Sequence, residues 1–383
     1  MMVCHTDNVE GYNGVVAAAS YEARPYGVRS GMSVLEAKRL CPKGAYVPGN
    51  YHKYLHNTKE ILKICREFTD EIEVFSIDEM WLDITKTKRF FGDSGRLAHF
   101  LRERIRRDIG LSSSIGVGPN KLVAKMAGEL HKPGGITVVR PDDLPGIFTP
   151  LPVGDLFGVG RQMKKRLALI GVTTIGDLAE VPEDYLKEKF GVVGLYLKDA
   201  ALGRNDSALA SGRKGVSDLV KSFGHSAALG SGEADIDKLC QILLGLCDGV
   251  TRRMRRDKYA GRTVVIRLRL ARLFGFTRSR TVTRALELTE HVYPLARELL
   301  LAEREALCRY PATLVGVSVT NLDHGRRQLS IEDLNDDRRV RAAAVVDRIK
   351  DKYGSRVITR ASLLNWKRRY HAAPVYGSSG VTG

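Results

Sequence analysis

No run of apolar residues in this 383-residue chain approaches the roughly 20 that a membrane-spanning helix needs, and no lipidation signal is visible, so no membrane partner is expected. The opening Met1-Met2-Val3-Cys4-His5-Thr6-Asp7 has neither the basic nor the apolar region of a signal peptide, which points to the cytoplasm. Cysteine is scarce and scattered: Cys4, Cys41, Cys65, Cys240, Cys247 and Cys308 form no C-x-x-C pair and have no histidine at zinc spacing. They read as buried thiols in a reducing compartment. His52 and His56 stand one helical turn apart with no third ligand, so a solvated helix face is expected there. The G-x-x-x-x-G-K-[ST] spacing of a P-loop is absent. Acid is what the composition lacks most, with 44 Asp and Glu against 61 Lys and Arg. A net charge of +17 and a pI near 9.6 imply a polyanionic partner, and nucleic acid fits best.

The chain is long enough for several domains. It is organised around Glu71 to Thr85, where two β-prone runs, Ile72 to Ile77 and Met80 to Ile84, flank Asp78 and Glu79. The pattern predicts a hairpin with both acids at its tip. Adjacent carboxylates on a stiff hairpin suit Mg²⁺, which keeps waters and shares its shell with substrate phosphates. On the hairpin alone, ordinary polar turn residues are the favoured reading.

Val15 to Ser20 predicts a buried strand running into Tyr21-Glu22-Ala23-Arg24. Tyr21 and Arg24, three residues apart on one helical turn, offer a hydroxyl and a cationic fork to a phosphate, or pack on each other. Ser33 to Leu40 reads as a helix capped by Ser33 and stopped at Cys41-Pro42. Tyr54 to Phe68 is the next helix, with Ile61, Ile64, Cys65 and Phe68 on one face. Beyond the hairpin come a basic amphipathic helix, Ser94 to Asp108, and a strand, Leu111 to Gly118. A second helix starts at Asn120-Lys121, where Lys121 either meets phosphate with the helix dipole or is a solvated charge. Lys132-Pro133-Gly134-Gly135 turns the chain into a strand at Ile136 to Val139. This order predicts an α+β layer with the acids on its sheet.

Leu156-Phe157-Gly158-Val159-Gly160-Arg161 and the helices around it have a helix-hairpin-helix pattern, in which Gly158 and Gly160 let the backbone approach a phosphate. A helical turn with a glycine cap is the alternative; Gly191 to Gly194 repeats the motif and favours nucleic acid. From Ala201 to Val216 the composition is that of a linker. The elements beyond it predict a β-α-β-β-α-β module: strand Lys221 to Ala227, helix Asp235 to Arg256, strands Thr263 to Leu270 and Thr277 to Leu286, helix Glu290 to Ala306, and strand Thr313 to Asn321. Arg267 and Arg269 alternate with apolar residues, and Arg278 and Arg280 are expected to continue their face. With Arg252, Arg253, Arg255 and Arg256 nearby, this predicts a phosphate-tracking surface. No aromatic stripe accompanies it, which argues against base stacking on the sheet. A further helix is expected near Arg338 to Lys352, and the chain past Ala373 reads as disordered.

Taken together, Tyr21-Glu22-Ala23-Arg24, Ser76-Ile77-Asp78-Glu79, Asn120-Lys121-Leu122-Val123-Ala124-Lys125, Lys132-Pro133-Gly134-Gly135, Gly158-Val159-Gly160 and Lys221-Ser222-Phe223-Gly224 resemble, in order and spacing, a Y-family translesion DNA polymerase of the bacterial polymerase IV type. The resemblance implies an α+β multidomain right-hand polymerase: fingers 1–49, palm 50–148, helix-hairpin-helix thumb 149–207, linker 208–218, ferredoxin-like little finger 219–322 and C-terminal tail 323–383. It implies Asp78 and Glu79 as ligands of two Mg²⁺ ions, and Tyr21, Arg24 and Lys121 on the triphosphate. Gly158, Gly160 and the sheet arginines then contact primer-template DNA. Deoxynucleoside triphosphates are the co-substrates, the chain acts as a monomer, and no proofreading exonuclease is expected.

The resemblance also implies a first strand with an Asp-x-Asp-x-Phe-Tyr-like motif, supplying a third metal ligand and a steric gate. Met1 to Asn13 aligns with the family's segment just after that motif, and Asp7 does not replace it. The expectation is an active polymerase whose true start lies upstream; the alternative is a non-catalytic DNA-binding remnant. Gln328-Leu329-Ser330-Ile331 resembles the start of a sliding-clamp docking peptide, with Glu332 where the family has an aromatic residue.

Overall fold

The structure is a computed structural model that describes all residues except 6–13, 205–208, 210–219, 272–274, 325–336, 356 and 365–383. Asp7, the clamp-like Gln328 to Ile331, the linker 208–218 apart from Leu209, and the chain past Ala373 therefore lie outside the described residues. The chain divides into two units, Met1–Tyr51 with Ser217–Ser379 and His52–Val216 with Gly380–Gly383.

The first segment holds a three-stranded sheet in the order β2-β1-β3, from β1 (Met2–His5), β2 (Val15–Ala19) and β3 (Tyr46–Pro48). β1 runs antiparallel to β2 and parallel to β3. Its Met2 and Cys4 are fully buried with Val16, Val28, Val34 and Ala37. The strand expected to be buried, β2, is an edge: only Val16 is covered, and Val15 is 43% exposed. α1 (Val34–Leu40) starts where expected, with the Ser33 hydroxyl accepting from the Glu36 N–H at 3.1 Å.

The second unit opens with α2 (Tyr51–Arg66), whose Ile64 and Cys65 pack against the hairpin of β4 (Ile72–Val74) and β5 (Met80–Leu82). Burial pushes the Cys65 thiol up to about 12. α3 (Ser94–Ile109), capped by Asp93 and ended by Gly110 in the left-handed conformation, lays Leu97, Leu101 and Ile105 on the same core. β6 (Ile115–Val117), α4 (Lys121–Leu130) and β7 (Ile136–Val138) form a parallel crossover unit, with the Asn120 side chain accepting from the Val123 N–H at 3.0 Å. Hairpin and crossover are separate two-stranded sheets. α4 lies on β6 so closely that a Cβ at Gly116 would come 1.9 Å from the Ala124 carbonyl oxygen.

Five short helices complete this unit: α5 (Leu144–Phe148), α6 (Arg161–Ala168), α7 (Ile175–Glu180), α8 (Glu183–Phe190) and α9 (Val192–Ala201). They share a core with α4 through Phe148, Leu156, Leu167, Leu178, Leu186 and Leu197. α7 is held by a capping box: Thr174 caps the Asp177 N–H, and the Asp177 carboxylate accepts from the Thr173 and Thr174 N–H groups at 2.8 Å. Those backbone bonds hold Asp177 well below the usual carboxylate range.

In the remaining segment β8 (Ser222–Glu233), α10 (Ile236–Arg256), β9 (Tyr259–Leu270), β10 (Gly275–Leu286), α11 (Thr289–Leu301), α12 (Arg304–Arg309) and β11 (Ala312–His324) keep the predicted β-α-β-β-α-β order, the second helix being broken in two. The strands form one antiparallel sheet, β10-β9-β11-β8. Its buried face carries Val264, Ile266, Leu268, Val315, Val317 and Val319 against Leu239, Leu243, Leu246 and Val250 of α10. α13 (Asp337–Tyr353) docks on α10 through Arg255–Asp347 at 2.8 Å, Lys350–Asp248 at 3.0 Å and Arg252–Asp351 at 2.6 Å. Burial pushes the Asp248 carboxyl up, but Lys350, Arg360 and Arg255 outweigh it and hold it below its ordinary value.

Candidate active site

The hairpin β4–β5 has two chemically different faces. Ile72, Val74, Met80 and Leu82 alternate onto one, where Ile72, Met80 and Leu82 pack in the core with Cys65, Leu97 and Leu101; Glu73 and Trp81 are cross-strand partners on the other. That second face receives α4. The Trp81 indole N–H donates to the Lys121 carbonyl at 3.1 Å, and Lys121 Nζ lies 2.9 Å from Glu73 Oε2 and 5.2 Å from the Trp81 ring centre. One turn further on, Lys125 Nζ lies 2.6 Å from Glu79 Oε1, with the Phe75 and Phe157 rings at 5.6 and 5.5 Å. Two lysines at i and i+4 thus lace the helix to the hairpin through two half-buried ion pairs.

The acids occupy the turn that the alternation predicts. The Phe75 and Ser76 N–H groups both donate to the Glu79 carbonyl, at 3.0 and 3.1 Å, closing the turn. The Ser76 hydroxyl donates to Asp78 Oδ1 at 2.5 Å, and Asp78 is exposed. From beneath, the buried Thr58 hydroxyl of α2 donates to the Ile77 carbonyl and lies 2.9 Å from that of Tyr54. Thr58 therefore holds the peptide that immediately precedes Asp78.

Of the residues expected on phosphate, Lys121 is tied to Glu73, and it is Lys125 that shares the tip with the acids. Lys125 was the residue that sequence reasoning missed, although its spacing from Lys121 marked both as one face of α4. Tyr21 and Arg24 belong to the other unit. They lie on the expected turn, a 3₁₀ segment Tyr21–Tyr26, with the Arg24 guanidinium 4.0 Å above the Tyr21 ring. The mutual packing that the spacing allowed is thus present.

The candidate DNA contacts divide in two. Gly158 has φ +100°, reserved in practice for glycine, and Gly160 caps α6, so the loop presents backbone N–H groups at the start of a helix, as expected. In the second Gly-x-x-Gly segment, Gly191 lies between α8 and α9, but Gly194 is a packing residue: a Cβ there would come 2.4 Å from the Leu186 carbonyl oxygen. On the sheet, Arg267 and Arg269 are exposed on the open face, with the short side chains Ser226, Ser318, Thr263 and Thr277 around them.

Arg278 and Arg280 do not continue that face. They stand opposite Ile266 and Val264, which are buried, and they pair with Glu303 at 2.7 Å and with Glu298 beside the helices. An even spacing shows that two residues share a face; only the register between strands shows which face. The α10 arginines are likewise engaged by groups of the chain itself: Arg252 and Arg255 with α13, Arg253 with the Gly224 carbonyl at 2.8 Å, and Arg256 with Asp257 at 2.9 Å. The expected arginine surface narrows to Arg267 and Arg269.

Comparison with known proteins agrees with this layout. Models of the impB/mucB/samB family match residues 1–129 and, for its C-terminal domain, 220–331, and a DNA polymerase-iota thumb domain model matches 154–194. DNA polymerase IV of Moorella thermoacetica is 40% identical over 371 residues, covering 96% of this chain and 90% of that one. The chain belongs to the DNA polymerase IV family of Y-family polymerases. DNA polymerase IV 1 of Bacillus subtilis is 32% identical, covering 93% of this chain and 86% of its own. A Y-family DNA polymerase chimera shares the fold with a TM-score of 0.73 at 24% identity, covering 85% of this chain and 92% of that one. A ternary insertion complex of Dbh DNA polymerase scores 0.54 at 23% identity, with the same coverages.

Members of this polymerase family are nucleotidyltransferases that use divalent metals. Two adjacent carboxylates at an exposed turn are an oxygen-only donor pair and fit a hard cation. No group of three or more His, Cys, Asp or Glu side chains converges among the described residues. Among the described residues, Asp78 and Glu79 are an oxygen donor pair that could hold such an ion together with water and substrate oxygens.

Proposed function

We propose that this chain is an error-prone translesion DNA polymerase that adds deoxynucleotides to a primer 3′-hydroxyl on a DNA template, with Mg²⁺ held by Asp78 and Glu79. The observation that carries this reading is the hairpin tip itself: two carboxylates, one of them 2.6 Å from Lys125, on a face lined by Phe75, Trp81 and Phe157. In the reaction the 3′-oxygen, its proton lost to water, bonds to the α-phosphorus as the bond from that phosphorus to the oxygen bridging to the β-phosphate breaks, and pyrophosphate leaves with that oxygen. A divalent ion held by Asp78 and Glu79 would lower the pKa of the hydroxyl and stabilise the leaving group. Lys125 and Lys121 bring two positive charges to the same face, where they balance charge on the triphosphate in a setting poorer in water than the bulk. Tyr21 and Arg24 complete the nucleotide contacts in this reading.

The palm is assigned to 50–148, the thumb to 149–207 and the little finger to 219–322. Gly158, Gly160, Arg267 and Arg269 bind the phosphate backbone, and Gln328 to Ile331 dock on the sliding clamp. All six cysteines are free, which suits a reducing cytoplasm. Primer extension by the purified full chain with Mg²⁺ tests the reading. Incorporation that disappears in Asp78→Ala is expected. Incorporation that persists in that variant would overturn the assignment of the tip.

A further inference from the structure

The residues at the hairpin tip carry a second consequence, which rests on the reading of Asp78 and Glu79 as the metal site. We propose that Lys125 couples metal binding to nucleotide binding by exchanging partners, holding Glu79 until a triphosphate draws it away. Lys125 Nζ is 2.6 Å from Glu79 Oε1, so a dication bound to that carboxylate would lie close to the ammonium, and two positive charges so near each other repel outside bulk water. The triphosphate is a polyanion that offers the ammonium a new partner at the moment the carboxylate is needed.

The surroundings of Lys125 make the exchange practicable. Its side chain is 18% exposed and lies near the Phe75 and Phe157 rings, which keep a favourable interaction with the cation after Glu79 is released. Lys121 provides the internal contrast. Its ion-pair partner, Glu73, is on strand β4 and is not a tip residue, so the Lys121–Glu73 pair does not engage Asp78 or Glu79. By linkage, the factor by which nucleotide raises metal affinity equals the factor by which metal raises nucleotide affinity. Lys125 is in this sense a positioning residue for the metal ligand as well as a phosphate contact.

The test measures Mn²⁺ affinity by electron paramagnetic resonance of the free ion, on the full chain and with no nucleotide present. Lys125→Met, and Lys125→Gln as a second variant, are expected to bind Mn²⁺ about tenfold more tightly than the wild type, within the usual range of coupling between sites, and Lys121→Met within about twofold of it. Unchanged or weaker binding in both Lys125 variants would overturn the exchange. The Asp78→Asn variant separates the two readings. If it abolishes Mn²⁺ binding while the Lys125 variants do nothing, the tip is the metal site and the exchange is wrong. If it leaves binding intact, or if no variant binds, both fail.

Discussion

Gly116 lies where α4, which carries Lys121 and Lys125, packs closely on β6, and Gly116→Ala should disturb both the fold and the candidate site. A Cβ at this position would lie 1.9 Å from the Ala124 carbonyl oxygen, 2.3 Å from the Gly128 N and 3.0 Å from the Ala124 carbonyl carbon. An ordinary carbon–oxygen contact is about 3.3 Å, so α4 must move off β6 by roughly 1.4 Å. All three obstructing atoms are backbone, and no rotamer change can absorb the movement. The overpacking should cost about 3 kcal/mol, the upper end for a core insertion. Losing the bond from the Trp81 indole to the Lys121 carbonyl adds about 1 kcal/mol. Ala124 precedes Lys125, so the same shift displaces Nζ relative to Glu79. A misplacement of about 1 Å at a reacting centre costs on the order of a hundredfold in rate. Guanidinium unfolding followed by Trp81 emission in a Trp366→Phe background measures the first effect, and single-nucleotide incorporation measures the second. Gly146→Ala in α5 is the control: its Cβ meets nothing within 4 Å, and it should stabilise by about 0.5–1 kcal/mol. A Gly116→Ala protein within about 0.5 kcal/mol of wild type, with incorporation intact, would refute the packing argument.

Three further outcomes are expected. Thr58→Val removes the hydroxyl that holds the Ile77 carbonyl; nucleotide incorporation should fall about tenfold in kcat with KM little changed, and Thr58→Ser should restore it. In salt titrations of duplex binding, Arg267→Ala and Arg269→Ala should each reduce the slope of log affinity against log salt by about 1, while Arg278→Ala and Arg280→Ala leave it unchanged. An equal effect from all four would contradict the observed register. The docking of α13 should depend on pH through Asp248. Its folded pKa lies below the unfolded value, so its stabilisation is present above the unfolded pKa of about 4 and is lost as pH falls through the folded one. Protection factors over 337–353, which correct hydrogen exchange for its own intrinsic pH dependence, should fall between pH 5 and pH 3, and Lys350→Met should lower them at pH 7.

Much of the architecture is visible in local pattern. Alternating apolar residues around Asp78-Glu79 predict the hairpin, Ser33 marks the start of α1, and the strand and helix periodicities beyond residue 221 predict the β-α-β-β-α-β order. Each of these signals lies within a few residues of the feature it specifies. β1 escaped notice because four residues, Met2–His5, carry too short an alternation to be read. The edge position of β2 escaped because a strand's apolar content does not reveal how many neighbours it has.

By itself, the sequence determined which residues could do the chemistry: adjacent acids in a turn, two lysines on one face of a helix, paired glycines before another, and arginines at alternating positions on strands. The tertiary structure alone decided how they are used. It set Glu73 against Lys121 and Glu79 against Lys125 across separations of 48 and 46 residues, and it turned Arg278 and Arg280 to the opposite face from Arg267 and Arg269. Those outcomes depend on the register of one element against another. That register is settled by the whole buried surface between them, such as the close approach of α4 to Gly116, and not by any stretch of chain read alone.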